Sequence, residues 1–354
     1  MHPALRTSFC DLVGIEVPIV QTGMGWVAGP RLVSATACAG ALGILASATM
    51  DLDSLRAAIV EVRSRTDRPF GVNLRADASD VDARVDLLIE HGVRVASFAQ
   101  APTQQLIARL RDAGVLVVPS IGARRHAEKV IDWAVDAVLV QGSEGGGHTG
   151  SVPTSILLPQ VVDAVAGRVP VIAAGGFFDG RGLVAALAYG ASGIAMGTRF
   201  LLTSDSAVPA TVKDVYLATV VTGTRVTTKV DGVPHRVLTT ELVERLESGR
   251  GRALALPRAV ANAWRFRALT GMSARSMWRD GRAMRRTSEL SWTQVVMAAN
   301  TPMLLKAALV DGHPEGGVMA SGQVVGVIDD LPSVAELIER LVGEADDCLA
   351  RLGG

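Results

Sequence analysis

Residues 170–199 decide the fold, and they read PVIAAGGFFDGRGLVAALAYGASGIAMGTR. Two apolar runs, at 170–174 and 193–197, enclose a helix-like stretch that ends at Gly190. A strand without polar alternation has both faces covered, which is typical of a parallel sheet flanked by helices. The stretch therefore predicts a strand–helix–strand unit.

Similar apolar runs recur along the preceding chain, at 18–22, 42–46, 70–74, 93–98, 115–119 and 137–141. Helical spacing of apolar residues lies between several of them, at 52–65, 81–91, 103–113 and 124–134. Eight strand–helix units at roughly 25-residue spacing predict an α/β fold, a (β/α)8 TIM barrel. The alternative is an open doubly wound sheet, but no GxGxxG motif follows the first run.

The regular alternation of strands and helices stops at residue 205, which suggests a second structural unit. We expect residues 1–204 and 318–354 to form the barrel and 205–317 to form a smaller, mainly helical substrate or lid domain. Within it, 220–238 is β-rich and contains Asp231 and Gly232, a hairpin turn signal, and 241–303 is helical and rich in arginine. Residues 318–328 predict a strand, followed by a capped helix that begins near Ser333.

Composition excludes several classes of function. The chain has 35 basic and 35 acidic residues among 354, so nothing favours nucleic acid or a membrane surface as partner. Its three cysteines lie far apart, and we expect no metal site. The first residues lack the pattern of a signal peptide, and no long uncharged apolar run follows, so we expect a cytoplasmic protein.

In such a barrel, chemistry is expected just after each strand, at its carboxyl end. Asn73 lies inside an otherwise apolar run, where an unpaired amide would be costly to bury, and Ser120, at the end of the fifth strand, is a candidate of the same kind. Gln141 ends the sixth run. The first run is followed by a segment in which two glycines flank a methionine, so that the backbone could approach a planar ring; otherwise it is a tight turn. This segment comprises Thr22, Gly23, Met24 and Gly25.

The strongest local signal is the loop after the sixth strand, where Gly145, Gly146 and Gly147 precede His148. Successive glycines indicate backbone amides pressed against a partner, and a histidine at the mouth of a barrel suits proton transfer near neutral pH. The alternative is a flexible loop with a solvated histidine. His235, after the hairpin, is a second choice.

Phosphate binding is expected after strands seven and eight, where barrels use backbone N–H groups and a helix N-terminus. The residues there are Gly175, Gly176, Gly197 and Thr198, and the helix beginning at 179–182 would contribute its amides. The alternative is that they are turns only. A separate arginine-rich stretch, 258–286, is either a solvated helical face or an anion-binding lid for a substrate such as a coenzyme A thioester.

Taken together, these motifs resemble the nitronate monooxygenase (2-nitropropane dioxygenase-like) family of FMN-dependent barrels, which includes flavin enoyl-acyl-carrier-protein reductases. The resemblance is carried by 21–26, Asn73, 144–148, Gly175 and Gly176, 196–200 and 321–323. It implies FMN, with its ring against Gly23 and Met24 and its phosphate at the glycines after strands seven and eight. Asn73, Ser120 and Gln141 would contact the ring or ribityl chain, and His148 would be the catalytic base or would orient the substrate. Gly145 departs from the alanine usual in the family, which weakens the inference about the substrate.

The segments 20–29 and 175–182 resemble actinobacterial members from steroid catabolism, which act on a hydroxylated hydrindane acyl-CoA. The resemblance predicts an FMN oxidoreductase with NAD(P)H as electron partner, and it leaves open whether the chain forms a homo-oligomer. One alternative is a true nitronate monooxygenase that consumes O2. Another, of a different class, is a flavin-free barrel that binds a phosphate-bearing ligand.

Overall fold

The computed structural model describes residues 1–248, Trp264, Arg282 and residues 301–353. Eight parallel strands close a barrel in chain order, and the pairing of Val20 in the first strand with Ala195 in the last completes it. The prediction of a (β/α)8 barrel is confirmed. The barrel strands are β1 (Ile19–Gln21), β2 (Leu42–Ala46), β3 (Gly71–Leu74), β4 (Val95–Phe98), β5 (Leu116–Ile121), β6 (Val138–Gln141), β8 (Val171–Ala174) and β9 (Gly193–Met196).

Helices cover the outside of the barrel and pack their buried apolar residues against the strands. The helices of the described residues, including those at the two ends of the barrel, are α1 (Ser8–Val13), α2 (Pro30–Cys38), α3 (Leu52–Arg65), α4 (Val81–Glu90), α5 (Gln104–Asp112), α6 (Arg124–Ile131), α7 (Thr154–Val165), α8 (Gly180–Ala188), α9 (Thr198–Leu201), α10 (Ala210–Leu217), α11 (Glu241–Glu247), α12 (Thr301–Leu309) and α13 (Val334–Gly353). Local chemistry sets their ends. Asp51 caps α3 by accepting from the Ser54 amide, and Gly92, Gly114 and Gly190 take positive φ after their helices.

The return of the chain to the barrel differs in part from the prediction. The helix is confirmed as α13, which packs against α8 and α2 and begins with a reciprocal Ser333–Glu336 cap. The predicted strand at 318–328 is wrong. Its second half is a 3-10 helix, Gln323–Val327, and Ala320 makes an isolated bridge to Val237. Gly326 lies so close to the backbone of Val221 that any side chain would overlap it, so the run is buried by loop packing and not by a sheet.

The amino-terminal end of the barrel, which we call the floor, is closed by α1. Phe9, Cys10 and Val13 of this helix join one apolar cluster with interior strand residues such as Leu139 and Ile172. Phe9 is 1% exposed. The floor is therefore sealed by apolar packing.

The opposite end carries a small antiparallel sheet in the order β10–β11–β7. Its strands are β7 (Gly147–His148), β10 (Thr224–Thr227) and β11 (His235–Leu238). The predicted hairpin is confirmed, but Thr227 pairs with His235, so its loop covers 228–234 and not a two-residue turn. The β11–β7 pairing, with His235 opposite His148, places this hairpin over the mouth of the barrel.

Within the described ranges, no helix is both long enough and apolar enough to cross a membrane. The division at 204/205 and 317/318 stays a prediction. The arginine-rich stretch 258–286 lies outside the described residues apart from Trp264 and Arg282.

Candidate active site

The polar residues predicted at the strand ends are half-buried and lie at the carboxyl ends of β3, β5 and β6. The Asn73 amide donates to the Ser97 hydroxyl at 3.4 Å, so Asn73 does meet another polar group. Ser120 lies within β5, which continues to Ile121. Gln141 uses its amide to donate to the carbonyl of His148 at 2.9 Å, which ties the strand to the glycine-rich loop.

The loop after β1 approaches these groups closely. A Cβ at Gly23 would lie 2.5 Å from the Cβ of Asn73, so only glycine fits there. The side chain of Met24 is half-buried, and its sulfur would lie 3.4 Å from a Cβ at Gly197. Thr22 donates its amide to the carbonyl of Met196, and Gly25 lies beside Thr49. The loop thus joins the end of β1 to the end of β9.

The glycines predicted to hold a phosphate lie together at the ends of β8 and β9. Gly175 and Gly176 both have φ near +90°, a conformation that other residues rarely adopt. Thr198, just after Gly197, accepts a hydrogen bond from the Gly322 amide at 2.9 Å through its hydroxyl oxygen.

The helix N-terminus expected to assist them does not fit that role. Gly182 of α8 donates its amide to the carboxylate of Asp179, and Gly180 donates to Glu344, at 2.9 and 2.8 Å. Two carboxylates therefore satisfy these amides and place negative charge there, which disfavours a phosphate.

The glycine-rich loop is held by contacts with the protein. A Cβ at Gly146 would fall within 2.6 Å of the backbone of Ser321 and Gly322. The close backbone packing expected of this glycine is therefore against the segment 321–322. Gln323 donates its amide to the carbonyl of Glu144 at 3.0 Å. Gly147 takes φ +75° and leads into β7. These contacts favour a positioned histidine over the alternative of a flexible loop.

His148 stands at the barrel mouth with its side chain 58% exposed. Its Nε2 atom lies 2.7 Å from Oδ2 of Asp231, which is only 3% exposed. The same carboxylate oxygen accepts hydrogen bonds from Nδ1 of His235 at 3.4 Å and from the hydroxyl of Thr301 at 3.1 Å. One buried carboxylate therefore gathers three donors from three parts of the chain.

The charges of this cluster follow from its burial and hydrogen bonds. Burial alone would raise the pKa of Asp231, but the hydrogen bonds from His148 and His235 outweigh it and hold that pKa well below its ordinary value. Burial lowers the pKa of His235, and its hydrogen bond to Asp231 offsets only part of this effect. Near neutral pH, Asp231 is therefore ionised and His235 is neutral.

Sequence reasoning missed Asp231 as a site residue and ranked His235 too low. Asp231 was interpreted as part of a turn, and its loop is indeed a turn in which Oδ1 accepts from the Val233 amide at 3.1 Å. Trp26, the last residue of the 21–26 motif, donates its indole N–H to the carbonyl of Pro302 at 2.8 Å and so connects the loop after β1 to α12. The signal available for Asp231 is an acidic residue flanked by Val230 and Val233 and four positions before His235.

The residues present fit FMN on two observations. A Cβ built at Gly176 would have its nearest neighbours in the Glu144 side chain, at 3.8 Å or more. The backbone at Gly176 is therefore open to a ligand. Among the described side chains, Oε1 of Gln21 is fully buried at the carboxyl end of β1 and accepts no hydrogen bond. An open glycine backbone after β8 and an unpaired acceptor at the end of β1 suit a flavin nucleotide.

Comparison with known proteins identifies the family of this chain. The family model for nitronate monooxygenase matches residues 6–344. A Mycobacterium tuberculosis protein named (3aS,4S,5R,7aS)-5-hydroxy-7a-methyl-1-oxo-octahydro-1H-indene-4-carboxyl-CoA dehydrogenase is 67% identical over 342 residues, 96% of each chain. A Rhodococcus jostii protein of the same name is 60% identical, covering 99% of this chain and 98% of its own. The solved structure of FabK from Thermotoga maritima superposes with a TM-score of 0.79 at 34% identity over 99% of both chains. The chain belongs to the nitronate monooxygenase family and is an oxidoreductase of this flavin-dependent group.

Proposed function

We propose that this protein is an FMN-dependent dehydrogenase of a hydroxylated hydrindane carboxyl-CoA, a fragment of the steroid C and D rings. The observation that carries the proposal is His148, exposed at the barrel mouth and anchored to a buried carboxylate. The two relatives named for this activity, at 67% and 60% identity over nearly the whole chain, support the substrate class. They favour it over nitronate oxidation, and the family match argues against a flavin-free barrel.

Removing two hydrogens from a substrate requires acceptors for a proton and for a hydride. His148 accepts the proton, since an imidazole exposed at the mouth can approach the reacting atoms and act as a base. FMN, when bound, supplies the two-electron chemistry. NAD(P)+ would complete the cycle as electron acceptor, because a flavin reduced by the substrate must be reoxidised before the next turnover.

The residues that we propose for holding FMN fall into two groups. The ring and ribityl chain are assigned to the ends of β1, β3, β5 and β6 and to the glycine-rich loop: Thr22, Gly23, Met24, Gly25, Asn73, Ser120, Gln141, Gly146 and Gly147. The phosphate is assigned to Gly175, Gly176, Gly197 and Thr198. The Met24 sulfur, 3.4 Å from the place of a Cβ at Gly197, supports the first assignment, and the open backbone at Gly176 supports the second.

We also propose that residues 205–317 cover the substrate side of the mouth. Asp231, His235 and Thr301 all come from this segment and reach the His148 side chain or its partner. A role of the arginine-rich stretch in binding coenzyme A stays a prediction, as do the cytoplasmic location and a homo-oligomer.

The test is anaerobic stopped-flow mixing of the purified protein with three compounds in turn. The hydrindane thioester should bleach the flavin absorbance rapidly, and NADH or NADPH should exchange electrons with the same flavin. Propionate 3-nitronate should react slowly. Rapid bleaching by the nitronate, with none by the thioester, would overturn the proposal in favour of a nitronate monooxygenase.

A further inference from the structure

We propose that Asp231 is a positioning residue for His148, and that it fixes the imidazole as the tautomer with its hydrogen on Nε2. The proton would then be exchanged with the substrate at Nδ1. This inference rests on the proposed role of His148 and names the atom and the device through which that role is performed.

The tautomer follows from the donors around the carboxylate. An ionised carboxylate can only accept, so the nitrogen 2.7 Å from Oδ2 of Asp231 must carry a hydrogen, and that nitrogen is Nε2 of His148. The neutral ring then has its lone pair on Nδ1. Within the described part of the chain, no hydrogen bond to Nδ1 of His148 is formed, and the side chain is 58% exposed.

The carboxylate itself is held from several sides. Its Oδ2 also accepts from His235 and Thr301, and its Oδ1 accepts from the Val233 amide at 3.1 Å. Because the group is 3% exposed, little water screens its interaction with the imidazole. Protonated His148 would gain a fixed counter-charge, and the ring would be held in one orientation.

The backbone of His148 is fixed independently of its side chain. His148 in β7 pairs with His235 in β11, and its carbonyl oxygen accepts a hydrogen bond from the side-chain amide of Gln141. The two histidine rings lie 4.6 Å apart between centroids, at 53°. Of the described titratable groups, Asp231 from the hairpin loop and His235 from β11 face His148, whereas α12 contributes the uncharged Thr301. This arrangement leaves one ring edge, with Nδ1, for the substrate.

The first arm of the test is a double-mutant cycle on the FMN-loaded enzyme with Asp231→Asn and His148→Asn. The introduced amide keeps the size of the carboxylate but can donate to Nε2, which selects the wrong tautomer. In the wild-type background, Asp231→Asn should lower kcat roughly 100- to 1000-fold with little change in KM. In the His148→Asn background the same change should alter kcat less than about threefold, because the two residues act as a unit.

A matched control is Asp136→Asn. Asp136 is a half-buried carboxylate near the floor that accepts from the Val117 amide at 2.8 Å, so the substitution perturbs a comparable hydrogen bond without touching His148. Its kcat should stay within about twofold of wild type. Multiplicative losses in the Asp231/His148 cycle would overturn the inference, because they would mean that Asp231 acts apart from His148. Full retention of kcat in Asp231→Asn would overturn it equally.

The second arm is an NMR measurement on the wild-type protein. It needs no substrate, and it does not depend on whether the Asp231→Asn variant folds. In the nitrogen-15 spectrum of histidine-labelled wild-type protein, the resonances lost in His148→Asn belong to His148. In its neutral form they should show a hydrogen on Nε2 and none on Nδ1. The opposite pattern would overturn the inference. The side chains of His148, Asp231 and His235 could also bind a divalent cation. A loss of activity on treatment with EDTA would therefore overturn the inference as well. If no thioester reacts, the proposed function fails. The nitrogen-15 spectrum still determines the tautomer of His148, because it does not depend on a substrate.

Discussion

The two ends of the barrel are built from the same eight strands but differ in chemistry. At the floor, Phe9, Cys10 and Val13 of α1 fill the opening with apolar side chains. At the mouth, the strands end in amides and glycines, and a hairpin brings Asp231 to His148. One end excludes water by packing, whereas the other keeps polar atoms within reach of a ligand.

The difference shows how a barrel separates stability from chemistry. Substitutions at the floor remove buried apolar contacts and should act on unfolding, whereas substitutions at the mouth should act on the cofactor or on turnover. Four experiments would either break this separation or sharpen it.

The largest effect is expected at the mouth. His148→Asn removes the proposed proton acceptor and should lower kcat by roughly two to four powers of ten, with FMN still bound. Steady-state kinetics and the flavin content of the purified variant check this. His313→Asn, on an exposed loop, is the control and should behave as wild type. Loss of FMN from the His148 variant would mean that the residue is structural.

At the floor, Phe9→Ala should destabilise the fold by about 3–4 kcal/mol, because it empties a buried aromatic site. Urea unfolding of the two proteins measures the difference. The affinity for FMN and kcat, measured at a temperature where the variant is folded, should stay close to wild type. A large loss of kcat in folded Phe9→Ala protein would break the separation of the two ends.

A matched pair of glycines compares the ends directly. Gly14 at the floor and Gly176 at the mouth have φ of +88° and +90°, and neither has an atom within 3.4 Å of the place of a Cβ. Alanine at either position should cost about 1–2 kcal/mol of backbone strain. Only Gly176→Ala should also weaken FMN binding, by about tenfold, in a fluorescence titration. Equal FMN affinities in the two variants would argue against a phosphate at Gly176.

The smallest effect concerns acid stability at the mouth. His235 has a folded pKa below its ordinary 6.5, so as pH falls from 7.5 to 5.5 the unfolded chain takes up a proton that the folded chain does not. Stability is therefore lost in that window. His235→Asn should reduce this loss by about 1 kcal/mol, whereas His313→Asn should not. Urea unfolding at the two pH values checks this. If both variants lost the same free energy of unfolding between the two pH values, the prediction would be contradicted.

Much of the fold could be predicted because its signals are local. Apolar runs placed every barrel strand, and the apolar spacing of 52–65 gave α3 with the observed bounds. The run at 318–328 misled because burial alone does not make a strand; Gly326 packs against the chain near Val221, and Ala320 makes only a bridge.

The site could be predicted only in part, for a physical reason. Residues at strand ends share one face of any barrel, so their grouping follows from the fold. Asp231 lies 83 residues from His148, and its pairing depends on how the hairpin docks on β7. Locally, an aspartate before a glycine is as typical of an ordinary turn as of a functional group.

A crystal structure of the FMN-loaded protein would show directly where the flavin binds. The proposal predicts the flavin phosphate against Gly176 and Thr198 and the ring beside Asn73 and His148, at the mouth of the barrel. A flavin bound elsewhere, such as the charged groove between α8 and α13 lined by Arg181 and Glu344, would contradict it.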